Sequence, residues 1–128
     1  MTDKPLQGVK VLVAENEPVI ALDIMNELSQ AGADVVGPAT TAACALAFAA
    51  KEDLNCAILD VQLRDGLVFP AAELLRQKGA GIVFLTGYVD IEELKSNWPS
   101  AKVLMKPRAS GELVKALREV WESKREVG

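Results

Sequence analysis

Residues 56–66 read Cys-Ala-Ile-Leu-Asp-Val-Gln-Leu-Arg-Asp-Gly. Four apolar residues in succession, Cys56 to Leu59, make a strand without a polar face, and such a strand belongs in a sheet covered on both sides. It ends on Asp60, an acid placed where the chain leaves the sheet. Asp65-Gly66 then reads as a turn and Phe69 to Gln77 as a helix. Upstream, Val9 to Ala14 is a strand rich in β-branched residues, and Asp34 to Pro38 a short second one. Between them Pro18 to Ala31 is helical, with Ile20, Ile24 and Leu28 on one face and Gly32 placed to stop it. Thr41 to Lys51 is alanine-rich and helix-favouring, with Thr40 or Thr41 as its cap. Downstream, Ile82 to Leu85 and Lys102 to Met105 are the fourth and fifth strands, and Ile91 to Asn97 is a short, sparsely apolar helix. Gly111 to Lys124 closes the chain as an amphipathic helix with Leu113, Ala116, Leu117, Val120 and Trp121 on one face. Strands alternating with helices predict an α/β fold built on an open five-stranded parallel sheet with right-handed crossovers.

The chain of 128 residues is expected to be one domain with a core over about residues 8–123. Half its residues are apolar and a quarter charged, the mix of a globular protein that needs no disulfide or metal to fold. Cys44 and Cys56 lie in apolar runs and read as buried free thiols of a reducing compartment. No apolar run reaches the ~18 residues of a membrane span and the N-terminus is too polar for a signal peptide, so a cytoplasmic location and no membrane partner are expected. A net charge of -4 gives no footprint for nucleic acid. The absence of histidine excludes Ser-His-Asp and Cys-His catalysis and His-bearing metal motifs.

In sheets of this kind functional groups gather in the crevice at the carboxyl ends of the strands. The residues there are Glu15, Asn16 and Glu17 after the first strand, Asp60 after the third, Thr86 after the fourth and Lys106 after the fifth. Singly they read as a loop acid, a turn residue and a solvated lysine; together they form acids, a hydroxyl and a cation at one edge. Glu17 reads as a helix N-terminal acid favoured by the macrodipole.

Over nearly its whole length the sequence resembles the receiver domain of two-component response regulators. The resemblance rests on residues 11–17 (Val-Leu-Val-Ala-Glu-Asn-Glu), 58–66 (Ile-Leu-Asp-Val-Gln-Leu-Arg-Asp-Gly), 84–87 (Phe-Leu-Thr-Gly) and 104–107 (Leu-Met-Lys-Pro). It implies the doubly wound, flavodoxin-like strand order 2-1-3-4-5. It also implies that Asp60 accepts a phosphoryl group from a histidine kinase or phosphotransfer protein, that Thr86 hydrogen-bonds that group and that Lys106 pairs with it. The implied cofactor is Mg²⁺, held by Glu15, Asn16, Asp60 and the backbone carbonyl of Gln62, all hard oxygen donors. The Lys106-Pro107 bond is the implied cis peptide. Such a domain is a switch for a downstream protein partner rather than an enzyme.

Two positions depart from that pattern. Asn16 stands where most receivers carry an aspartate, so a neutral carbonyl replaces a charged ligand and weaker Mg²⁺ binding is expected. Val103 stands where many carry an aromatic readout residue, with Tyr88 as the alternative reporter and Arg108 exposing a charge after Lys-Pro. These departures motivate the second expectation, a degenerate pseudo-receiver that binds protein without regard to phosphorylation. With no effector segment after Gly128 in this sequence, output is expected through another protein or by passing the phosphoryl group on; excision from a hybrid kinase or a DNA-binding regulator is the alternative. Ile91, Leu94, Val103 and the last helix are the expected face for a homodimer or partner.

Overall fold

A computed structural model of the chain describes residues 4–87, 90–106 and 111–127, with side chains as far as residue 124. Apolar strands need both faces covered, and the observed sheet meets that need. β1 (Lys10–Ala14), β2 (Asp34–Ala39), β3 (Cys56–Leu59), β6 (Gly81–Thr86) and β7 (Lys102–Met105) form one parallel sheet in the order β2-β1-β3-β6-β7. Counting only these five in chain order gives the expected 2-1-3-4-5 winding. The helices are α1 (Pro18–Gln30), α2 (Ala42–Lys51), α3 (Phe69–Gln77), α4 (Ile91–Asn97) and α5 (Glu112–Val127).

Side chains alternate across a strand, so each central strand feeds two separate cores. Leu12, Ala14, Ala57, Leu59 and Phe84 face the layer that includes α2, α3 and α4. Val11, Val13, Cys56, Ile58, Val83 and Leu85 face the layer that includes Ile24 and Leu28 of α1 and Leu113 and Leu117 of α5. The first layer is rich in alanine, which lets its helices lie close to the sheet. It is keyed by Phe84 and Trp98, whose rings meet edge to face at 5.5 Å, with Phe69 stacked on Trp98 at 6.0 Å. Arg76 covers the indole at 4.1 Å.

Local chemistry sets the helix ends. Gly32, at φ 98°, stops α1, and Ala33 N–H closes the turn onto Leu28 O. Thr41 caps α2, its hydroxyl accepting from Cys44 N–H. A second cap comes from across the chain: the Asp65 carboxylate accepts from Ala42 N–H and Ala43 N–H. The Ala42 N–H above all holds the Asp65 carboxyl below its ordinary pKa; desolvation opposes it, and the Ala43 N–H adds to it. Asp65 sits there because the stretch expected as a loop with a turn is a small antiparallel hairpin. Its strands are β4 (Gln62–Leu63) and β5 (Gly66–Leu67), with Gly66 at φ 145°. Two residues per strand are too few to leave a periodic signal.

Three further expectations need adjustment. Leu94 is buried among the alanine-rich core rather than on a partner face, because α4 is short and needs one deep anchor. Val103 also packs against that core, which leaves Met105 as the exposed large apolar residue of β7. Cys56 is a buried free thiol, its pKa pushed up to about 12 by burial, but Cys44 is only half-buried. Tyr88, Arg108 and the Lys106-Pro107 bond lie outside the described residues; the cis X-Pro bond among those described is Gly37-Pro38. No helix among the described residues is long and apolar enough to cross a membrane.

Gly81, which opens β6, lies against α5: a Cβ there would lie 2.9 Å from Val120 Cγ2 and 3.3 Å from Val120 C. Gly81→Ala should therefore destabilise the fold by about 1–3 kcal/mol through overpacking. Gly81→Ala combined with Val120→Ala should recover part of that loss in urea denaturation, because the clash is with that side chain.

Candidate functional site

Register decides which side chains meet. Ala14 pairs with Leu59 and Thr86 with Met105, so the next residues out of the sheet, Glu15 and Asp60 on one side and Lys106 on the other, emerge at the same edge. The ladder continues just far enough to fix their backbones. Asp60 N–H donates to Ala14 O at 2.9 Å, Glu15 N–H to Ala39 O at 2.9 Å and Lys106 N–H to Thr86 O at 3.0 Å. Glu15, Asp60 and Thr86 are the polar residues buried among those described, at 2%, 6% and 1% exposure.

Two carboxylates buried side by side repel each other unless a cation joins them. Lys106 supplies it. Its Nζ lies 2.6 Å from Glu15 Oε1 and 2.9 Å from Asp60 Oδ2. Neighbouring strands are ~4.8 Å apart, so the ammonium reaches from the edge strand over β6 to β3 and β1, a span suited to lysine's long flexible stem. Burial works to lower the Lys106 pKa, but the hydrogen bonds to Glu15 and Asp60 and their attraction outweigh it and hold it above the ordinary lysine value. The remaining carboxylate oxygens face backbone donors: Glu17 N–H donates to Glu15 Oε2 at 3.0 Å, and Gln62 N–H approaches Asp60 Oδ1 at 3.4 Å.

Of the residues singled out in the sequence, Glu15, Asp60 and Lys106 are in direct contact, and Thr86 is buried at the end of β6 between the strands that carry Asp60 and Lys106. Gln62 has an exposed side chain and meets Asp60 through its backbone. Asn16 is half-buried next to Glu15, and its backbone carbonyl oxygen accepts from Arg64 Nε at 3.3 Å. Glu17 is exposed at the N-cap of α1 without a side-chain capping bond, apart from the carboxylate pair. Arg64 and Asp65 were not singled out for the site. The one signal for them was their place on the loop after Asp60.

The donor set can be tested against a hard dication. Among the described residues no group of three or more acid, thiol or imidazole side chains converges. Two carboxylates, Glu15 and Asp60, converge on Lys106, with Asn16 next in the chain to Glu15 and Gln62 two residues after Asp60 at the start of β4: oxygen donors throughout, two of them anionic. That set fits Mg²⁺, which keeps several waters and needs few protein ligands. It also carries less negative charge than a three-acid site, and Lys106 already neutralises part of it.

The fold and this edge define a doubly wound parallel α/β domain with an acid–lysine crevice at the carboxyl ends of its strands. No family model matches the chain. Over 122 residues, 92% of its length, it is 30% identical to the transcriptional regulatory protein PdtaR of Mycobacterium tuberculosis, strains CDC 1551 and H37Rv. The chain spans 59% of the length of those curated relatives. The solution structure of SdrG from Sphingomonas melonis Fr1 is 32% identical with a TM-score of 0.75, covering 91% of this chain and 97% of that one. The response regulator receiver domain protein (CheY-like) from Methanospirillum hungatei JF-1 is 25% identical with a TM-score of 0.79, covering 96% and 99%. The chain belongs to the response regulator receiver domains.

The raised Lys106 pKa sets the sign of a pH dependence. Stability from this pairing is fully present below the unfolded lysine value of 10.5 and is lost as pH rises through the higher folded value. Lys106→Met should cost about 1–3 kcal/mol at neutral pH, less than in a fully buried pair because the lysine side chain is 22% exposed. The gap between variant and wild type should narrow above pH 10.5 in chemical denaturation.

Proposed function

We propose that this receiver domain is a phosphorylation switch in which Asp60 accepts a phosphoryl group from a histidine kinase or phosphotransfer protein. The observation that carries the reading is the crevice formed by Glu15, Asp60 and Lys106 at the ends of three different strands. Burying two acids and a lysine together is a poor route to stability, because hydrophobic residues of the same volume do as well or better. Its merit is chemical. A carboxylate oxygen of Asp60 attacks phosphorus as the donor's P–N bond breaks; the imidazole leaves with a proton, and an acyl phosphate remains. Lys106, already beside Asp60, pairs with the new phosphoryl oxygens, and Thr86 offers its hydroxyl from beneath.

Mg²⁺ would be held by Asp60, Glu15, the Asn16 side-chain oxygen and the Gln62 carbonyl, where it would neutralise charge on the transferring group. Output would pass to a downstream protein, with self-association through the α4–β7–α5 face as one form of it. The reading places the domain in the cytoplasm and makes it a switch rather than a turnover catalyst.

Asn16 favours a second reading, a pseudo-receiver that keeps the fold as a constitutive interaction module. Intact mass after incubation with Mg²⁺ and a small phosphodonor separates the two. One added phosphoryl group, lost in Asp60→Ala, is the expected result; no gain with any donor overturns the switch. Asn16→Asp should bind Mg²⁺ roughly tenfold more tightly in a calorimetric titration, since it restores an anionic ligand. Equal affinities would mean that Asn16 is not a ligand.

A further inference from the structure

Arg64 occupies the tip of the β4–β5 hairpin, four residues beyond Asp60, and is held at two points. Its backbone N–H donates to Thr40 O at 3.2 Å, and its Nε donates to Asn16 O at 3.3 Å. The second bond draws the guanidinium onto the loop that carries Glu15 and Asn16, at the rim of the crevice. Acids lie close by in the chain, yet the ion pairs among the described residues do not include Arg64. Asp65, its neighbour, is committed to the N-terminus of α2. The residue is exposed, and its hydrogen bonds among the described residues use Nε and the backbone N–H, which leaves the two Nη groups as donors for solvent or for an anion arriving at the rim. Beside it stands Asn16, the position that brings no charge.

Resting on the reading of Asp60 as acceptor, we infer that Arg64 is a binding residue for the incoming phosphodonor, its guanidinium taking a non-bridging phosphoryl oxygen at the mouth of the site. The Nε bond to Asn16 O fixes the plane of the fork, and the free Nη groups match the geometry of a phosphoryl group. A dianionic donor approaching two carboxylates meets repulsion that Lys106 offsets only in part. A cation at the rim supplies attraction before the transfer begins, and an arginine there needs no metal to do so.

The probe is acetyl phosphate with Mg²⁺, from which Asp60 takes the phosphoryl group as the P–O bond breaks and acetate leaves. Initial rates of mass gain are followed against donor concentration for wild type, Arg64→Lys, Arg64→Gln and Asp60→Ala. Glutamine can still donate to Asn16 O but carries no charge, so it separates tether from anion binding. Arg64→Gln should raise the half-saturating donor concentration about fivefold, the scale of one exposed charge-assisted contact, with the maximal rate nearly unchanged. Arg64→Lys should fall between. Inorganic phosphate should inhibit wild type competitively and Arg64→Gln correspondingly less. Wild-type saturation behaviour in Arg64→Gln, or a loss confined to thermal stability, would reduce Arg64 to a tether and overturn the inference alone. No mass gain in wild type would overturn the acceptor reading and this inference with it.

Discussion

Two carboxylates emerge from adjacent parallel strands into a space that excludes most water, and one ammonium lies between them. The contacts of Lys106 with Glu15 and Asp60, at 2.6 and 2.9 Å, are the condition under which the carboxyl edge can close. Without that cation the ends of β1 and β3 would push apart, and the loops that leave them would lose their common anchor. The cation comes from β7, the far edge of the sheet. The pairing therefore ties β7 to β3 and β1 across the intervening β6, at the point where backbone hydrogen bonding is running out. Any anion or dication that enters has to do so by altering this triad.

Much of the scaffold was legible because its strands are unambiguous. Cys56–Leu59, Phe69–Gln77, Ile91–Asn97 and Lys102–Met105 have the bounds that apolar runs and breakers predict. They are short elements each followed within two residues by an acid, glycine or proline (Asp60, Gly79, Pro99 and Pro107), and local and tertiary preferences agree there. The placement of the candidate residues was legible for the same reason: a polar residue at the end of an apolar parallel strand can emerge at only one edge. Asp60, Thr86 and Lys106 needed no finer information than that.

What stayed hidden depended on contacts between residues distant in sequence. Asp65 caps a helix that begins 23 residues earlier, and Arg64 holds a carbonyl 48 residues away. Neither partner carries a side-chain signature, since both acceptor and donor groups are backbone. The β4–β5 hairpin was hidden for want of length, and Leu94 because a short helix with one apolar anchor gives no periodicity from which to read its inward face. Asn16 was visible as an anomaly, but its tie to Arg64 was not.

The alternation of side chains across β1, β3 and β6 has a consequence for how this sequence can change over time. The sheet divides the interior into two compartments whose side chains do not touch, one rich in alanine and ringed by aromatics, the other built from larger aliphatics. Substitutions in different compartments should combine nearly independently, so each can be repacked on its own. The carboxyl edge is the exception, since Lys106, from the edge strand β7, makes residues at the ends of β1, β3 and β7 answer to one another. Drift in the interior is thus divided between two separate neighbourhoods, while drift at the rim is a single negotiation. Asn16, with Arg64 bound to its carbonyl, marks the place where the terms of that negotiation have shifted in this chain.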